Sequence, residues 1–228
     1  MKTLPLLVTA GMVAFSVVRI ANAGSCCSTN VAPACCTKNA NVAPEKFTER
    51  SLYQVESTWN NDADKSIPLS ALAGRPQVVA MFFARCQFTC PVTVHDLQRI
   101  EAALPAALKD KVGFTLVSFD SQRDTAAVLA KYRQTHQFGT NWTLLRGQGD
   151  DVLELSALLG VNFKQDAQGD FSHSNLITIL NARGEVVYRL VGLKQDITEA
   201  VNKLTELTAT SANTLAGTPA LKSANDRE

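Results

Sequence analysis

Beyond residue 23 this chain has no long apolar run, no surplus of either charge, no internal repeat and few histidines. Its later apolar stretches fall short of the roughly 20 residues a spanning helix needs, so no segment after Ala23 is expected to cross a bilayer. Of its 22 Lys and Arg, Lys2 and Arg19 precede residue 24 and no Asp or Glu does, which leaves 20 basic against 21 acidic side chains. Such a balance gives no electrostatic footprint for nucleic acid, and none is expected as a partner. Histidine occurs only as His95, His136 and His173.

The first residues differ from the rest. Lys2 supplies a positive start, Leu4 to Val18 is a fifteen-residue stretch without charge, and Ala21-Asn22-Ala23 offers small residues for cleavage. This pattern predicts an export signal over residues 1–23, since Arg19 ends the run too early for a span. Cleavage after Ala23 is favoured over an uncleaved anchor. Lipidation at Cys26 fits less well, because Ala23-Gly24-Ser25 is a poor match to a lipoprotein cleavage site. The expectation is a periplasmic protein, tethered only if the signal stays on. About 205 residues then remain, enough for one domain with a sizeable core.

Export bears on the six cysteines, because an oxidising compartment favours disulfides unless the thiols are kept reduced or hold a metal. Cys26, Cys27, Cys35 and Cys36 form two vicinal pairs within residues 24–46, a stretch rich in Ala, Asn, Thr and Pro with few large apolar side chains. That composition predicts a mobile arm. Residues 208–228 are similarly small and polar and are expected to form a disordered tail, which leaves residues 47–207 as the folded domain.

Within that domain the patterns alternate. Leu52 to Thr58 and Gln77 to Phe83 predict strands, the second apolar enough for a central position. Val92 to Leu108 predicts a helix with Leu97, Ile100 and Leu104 on one face, kinked or ended by Pro105. Val112 to Phe119 is a further strand. Asp124 is placed to cap a helix running to about His136, and Trp142 to Leu145 is a short strand before a helix over Val152 to Leu159 that Gly160 stops. Leu176 to Leu180 and Val186 to Leu190 flank Asn181-Ala182-Arg183-Gly184, a turn of hairpin length. Ile197, Val201 and Leu204 mark a last amphipathic helix from near Asp196. The order predicts an α/β layered fold, thioredoxin-like in a peroxiredoxin-like variant, with a central mixed sheet flanked by helices. Such a fold carries its active site at the end of the first central strand.

Cys86 and Cys90 fall there, in Cys-Gln-Phe-Thr-Cys followed at once by Pro91. Residues four apart on a helix share a face, so the pair can chelate or cross-link. Helix-start N–H groups favour thiolate, which is both nucleophile and metal ligand, and Pro91 suits the first helical position. A plain stabilising disulfide is the weaker reading, because so short a loop constrains the unfolded chain little.

Thioredoxin-type oxidoreductases set a cis-proline loop against their cysteine pair, just before the strand that here is Leu176 to Leu180. No proline stands between Pro105 and Pro219, and Phe171, Ser172 and His173 occupy that place. An imidazole there points at the two sulfurs. Two thiolates and one imidazole suit copper, since sulfur selects Cu(I) and the nitrogen keeps Cu(II) accessible. Zinc shares that donor set. His95, turned to another helix face, and His136, near a helix end, are the less suitable nitrogens.

These residues resemble the Sco/SenC family of copper-binding proteins that assist cytochrome c oxidase assembly. The resemblance runs from about Leu52 to Leu207 and rests on Phe82-Phe83-Ala84-Arg85-Cys86-Gln87-Phe88-Thr89-Cys90-Pro91, Ser118-Phe119-Asp120 with Arg123-Asp124-Thr125, Trp142-Thr143-Leu144-Leu145 and Phe171-Ser172-His173-Ser174. It implies Cys86, Cys90 and His173 as copper ligands, and places Asp120 and Asp124 at family acidic positions near the site. Ser121 and Gln122 stand where the family usually has proline after the aspartate, which should loosen that turn. The cysteine arm is not a general family feature. Cys26, Cys27, Cys35 and Cys36 are read either as a second Cu(I) site or as disulfides, local or between chains.

The expected function is a periplasmic, monomeric copper chaperone that delivers its metal to a cytochrome c oxidase subunit or another periplasmic copper protein. The alternative is a thiol-disulfide oxidoreductase, with Cys86 and Cys90 as redox pair and a thioredoxin-like protein as reductant. A peroxiredoxin-like peroxidase is disfavoured, because no peroxidatic Thr-x-x-Cys pattern is present.

Overall fold

Strand β3 (Gln77–Phe82) and strand β4 (Gly113–Ser118) are buried along their whole length, as near-continuous apolar runs require in the middle of a covered sheet. The two pair in parallel, Gln77 opposite Gly113 and Phe82 opposite Ser118. Around them the computed structural model describes residues 47–216, all within the unit Glu45–Glu228. The expected signal, the cysteine arm and residues 217–228 lie outside the described residues.

The remaining elements are β1 (Thr58–Asn61), β2 (Ser66–Pro68), α1 (Thr89–Ala103), α2 (Ala126–His136), β5 (Trp142–Arg146), α3 (Gly149–Leu159), β6 (Phe163–Gln165), β7 (Phe171–His173), β8 (Leu176–Leu180), β9 (Val186–Val191) and α4 (Thr198–Ala216). Seven strands form one sheet in the order β2-β1-β5-β4-β3-β8-β9, and β6 and β7 make a separate hairpin. The β3–β4 and β4–β5 pairs are parallel, and the other pairs are antiparallel. The parallel connections run through α1 and α2, as crossovers of that length must. Helix α1 packs on β3 and α4, while α2 packs on β1 and β5. This is the thioredoxin-like mixed sheet flanked by helices. No helix among the described residues is long and apolar enough to cross a membrane.

Packing follows the expected faces. Leu97 and Ile100 of α1 are completely enclosed and Leu104 nearly so, and each such side chain stabilises the fold by about 1.5–3 kcal/mol through lost apolar exposure. Trp142 stacks on Phe114 at 4.9 Å and on Phe138 at 4.1 Å, closing the β5 side of the core. The Phe114–Trp142 contact lies across the parallel β4–β5 register.

Several local expectations are corrected. Leu52 to Thr58 is not one strand: Leu52–Gln54 is a 3-10 turn, with Ser51 Oγ accepting the Tyr53 N–H, and pairing begins only at Thr58. Leu52 and Tyr53 are consecutive and both buried, which a one-faced extended segment does not allow. Helix α1 starts at Thr89 rather than Val92, so Pro91 occupies its third position, where an N–H would still be free of an intrahelical bond. It ends before Pro105, whose neighbour Leu104 is extended, as a residue preceding proline prefers. Thr125, not Asp124, caps α2 by accepting the Val128 N–H. Finally, α4 runs through position 208 to Ala216, past the expected start of the tail. Thr208 is buried there and its hydroxyl donates to the Leu204 carbonyl.

Candidate metal centre

Register explains how residues 83 positions apart meet. β3 delivers the chain to Phe83 and the cysteine loop, while antiparallel β8 pairs Ile177 with Ala80. The residues just ahead of β8 therefore arrive level with the end of β3. His173 is the last residue of β7, opposite Phe163 in the small hairpin. Its Nε2 lies 3.6 Å from Cys90 Sγ and 3.3 Å from Thr89 Oγ1. Cys86 Sγ, Cys90 Sγ and a His173 ring nitrogen all lie within 4.8 Å of one another, the one cluster of metal-ligand type found among the described residues. Three donors sharing one ion on bonds of about 2.2 Å would stand about 3.8 Å apart if spread evenly around it, so the widest pair would draw in by up to about 1 Å.

The surroundings orient each donor. His173 Nδ1 donates a hydrogen bond to the Ser174 carbonyl oxygen at 3.1 Å, which orients the ring so that Nε2 faces the sulfurs. Phe119 lies against the imidazole, ring centres 5.0 Å apart, and Phe83 meets it edge-on at 6.5 Å. Cys86 Sγ accepts the Cys90 N–H at 3.4 Å at the mouth of α1 and stands 3.9 Å from Thr89 Oγ1.

The two thiols are not equivalent. Burial is the largest influence on Cys86 and pushes its pKa up, but the backbone N–H groups of Cys90, Phe88 and Thr89 and the Cys90 thiol together outweigh it. The result is a pKa below the usual thiol value. Cys90 is only 1% exposed, and burial, reinforced by Cys86, holds its thiol far above the usual range. Cys86, at the mouth, is the more acidic thiol, and Cys90, beneath it, the less acidic one.

The site opens into a cleft of about 580 Å³ lined by Phe83, Arg85, Cys86, Phe88, Phe171 and His173 among others. Phe88, inside the Cys-x-x-x-Cys spacer, is 84% exposed at its edge. Opposite it, Arg85 pairs with Asp170 at 2.7 Å.

The acidic residues stand behind the ligands. Asp124 Oδ2 accepts the Ala84 N–H at 2.9 Å and the Ser118 hydroxyl, tying the base of the cysteine loop to the end of β4. Its burial raises its pKa, against the lowering effect of those two hydrogen bonds. Asp120 accepts the Arg123 N–H at 3.1 Å and pairs with the Arg123 side chain. The turn through Ser121 and Gln122 is closed without a proline: Ser118 Oγ accepts the Asp120 N–H, and Arg146 donates to the Ser121 carbonyl. His95 is exposed on another face of α1. His136 stacks on Tyr132 and Phe138 at the end of α2, where burial lowers its pKa. Neither joins the cluster, and Cys26, Cys27, Cys35 and Cys36 lie outside the described residues. Sequence reasoning missed Thr89 and Phe119 as neighbours of the imidazole. The position of Thr89 between the cysteines was the available signal for the first.

A thioredoxin-like fold with two thiols and an imidazole, in place of a proline, at the end of its central strand defines a class of proteins built for thiolate redox or soft-metal chemistry. The model of the SCO1/SenC family matches residues 48–209, and the chain belongs to that family. A Stutzerimonas stutzeri protein named for copper binding is 28% identical over 142 residues, 60% of this chain and 68% of its own. A SCO1/SenC family lipoprotein from Bacillus anthracis superposes with a TM-score of 0.62 at 20% identity, over 72% of this chain and 98% of that one. Bradyrhizobium japonicum ScoI, determined with copper bound, gives a TM-score of 0.54 at 22% identity over 66% and 96%.

Proposed function

We propose that this protein is a periplasmic copper chaperone that holds one copper ion through Cys86, Cys90 and His173 and hands it to a copper-binding subunit of cytochrome c oxidase during assembly. The observation that carries the proposal is the convergence of two sulfurs and an imidazole nitrogen within 4.8 Å of one another at an open cleft. Soft sulfur retains Cu(I) and imidazole suits copper in either state. The copper in the Bradyrhizobium relative and the name of the Stutzerimonas one support the choice of metal. With three protein donors beside an open cleft, incoming sulfur from a partner can replace them one at a time, so transfer needs no substrate bond to break.

The experiment is copper titration of the reduced protein against a competing chelator. His173→Ala is expected to lose tight copper binding while keeping thiol-disulfide exchange, and Cys86→Ser to impair both. Full copper affinity in the alanine variant refutes the proposal.

The unequal thiols favour a second role at the same site. Cys86 thiolate attacks a partner's disulfide, forming a mixed disulfide and expelling one partner thiolate. Cys90 then displaces the second, leaving the partner reduced and a Cys86–Cys90 disulfide behind. A thioredoxin-like reductant must return the two electrons. Retention of partner reduction by His173→Ala, with loss in Cys90→Ser, is the expected signature.

A further inference from the structure

His173 rides on a hairpin that belongs to neither the main sheet nor a helix, joined by three residue pairs between β6 and β7. Something must hold that hairpin against the cysteine loop. Apolar contact supplies part, since Phe171 meets Phe83 at 5.3 Å and Phe119 at 6.0 Å. The Arg85–Asp170 pair adds little, because both side chains are about half exposed and such pairs contribute about 0–1 kcal/mol.

Arg123 is built differently. From the loop between β4 and α2 its Nε reaches the Asp120 carboxylate, which is only 2% exposed, while its Nη2 donates to the Gly169 carbonyl in the turn of the hairpin. The guanidinium carbon lies 6.0 Å from the centre of the Phe171 ring. One rigid planar group thus bridges a buried anion, the hairpin turn and an aromatic ring that packs on Phe83 and Phe119, the two rings in contact with the imidazole. Gly169 is shaped to the same contact: its φ is +80°, and a Cβ there would stand 2.8 Å from Arg123 Nη1.

We infer that Arg123, anchored by Asp120, is a positioning residue that holds His173 in place for metal. It touches no donor atom itself and acts through Gly169 and Phe171. This rests on the metal-site reading above and extends it to a residue 50 positions away from the ligand it serves.

Arg123→Lys is the informative change, because it keeps a cation for the buried Asp120 while giving up the planar fork that also reaches Gly169. Groups that support a ligand without binding metal typically cost 10–100-fold in affinity when altered, and a fall of that size in copper affinity is expected. The sulfur-to-Cu(II) absorption band should shift toward that of His173→Ala. The rate at which Cys86 reacts with a small aromatic disulfide should hold. Gly169→Ala, which displaces the guanidinium without removing it, should reproduce the loss.

A double-mutant cycle decides whether the effect passes through the imidazole. With His173 already alanine, Arg123→Lys should cost nothing further. Undiminished copper affinity and spectrum in Arg123→Lys and Gly169→Ala overturns the inference, and so does an equal loss on the His173→Ala background, which marks a merely structural role. If His173→Ala alone binds copper as well as the parent, the metal-site reading fails and this inference with it.

Discussion

Asp124 offers a direct check on how the cysteine loop is held. One of its oxygens accepts both the Ala84 N–H and the Ser118 hydroxyl, and the side chain is 2% exposed. Alanine there strands two donors with little water to replace the carboxylate. Each stranded group costs about 1–3 kcal/mol, and Ser118 can rotate to recover part of its share, so a loss of about 2–4 kcal/mol is expected. For a domain of this size each kcal/mol lowers the melting temperature by about 2–4 °C, which predicts a drop of about 5–15 °C in thermal unfolding followed by circular dichroism.

Asparagine separates the hydrogen bonds from the charge. It keeps an acceptor for both donors and should melt well above the alanine variant. Burial raises the folded-state pKa of Asp124 above its unfolded value. Its contribution is therefore complete below the ordinary carboxylate pKa and declines as pH rises through the raised folded value. Asp124→Asn removes that decline, so its stability relative to the parent should rise with pH across this window and then level off. An alanine variant melting within about a degree of the parent, or an asparagine variant whose pH profile parallels the parent's, refutes the reasoning.

The two thiols should label in sequence. In the reduced protein, iodoacetamide is expected to modify Cys86 first, with a rate that rises with pH and levels off below the ordinary thiol pKa, and Cys90 only on unfolding; peptide mass spectrometry reads both. Gly184→Ala should destabilise by about 1–3 kcal/mol, seen in urea titration, because φ is +80° there and a Cβ would stand 2.5 Å from the Tyr53 ring.

The elements most readable from sequence were those whose burial is uniform. β3, β4 and β8 are buried at every position because both sheet faces are covered, and Gly160 marks the end of α3 with a φ of +83°. The β6–β7 hairpin left no such signal. Its six residues, Phe163-Lys164-Gln165 and Phe171-Ser172-His173, carry only two large apolar side chains, and its stability comes from Phe119 and Arg123 in another part of the chain. The three residues Cys86, Cys90 and His173 were readable through spacing and through the missing proline, and the structure brings them together. The arrangement around them was not. Arg123 and Gly169 are 46 positions apart, and only closure of the fold shows that they touch. Leu52 and Tyr53 were misread for a related reason: an apolar pair before a strand looks extended until Ser51 Oγ accepts the Tyr53 N–H and turns the chain.

The hairpin has a further consequence for how the three donors are supported. Among the three proposed donors, the sulfurs stand between the end of β3 and the first turn of α1, while the nitrogen sits on a two-stranded flap outside the main sheet. Segments with few shared contacts open at lower cost than the body they rest on. The imidazole is therefore the donor whose support yields first, and the Arg123 contact to Gly169 sets how readily that happens.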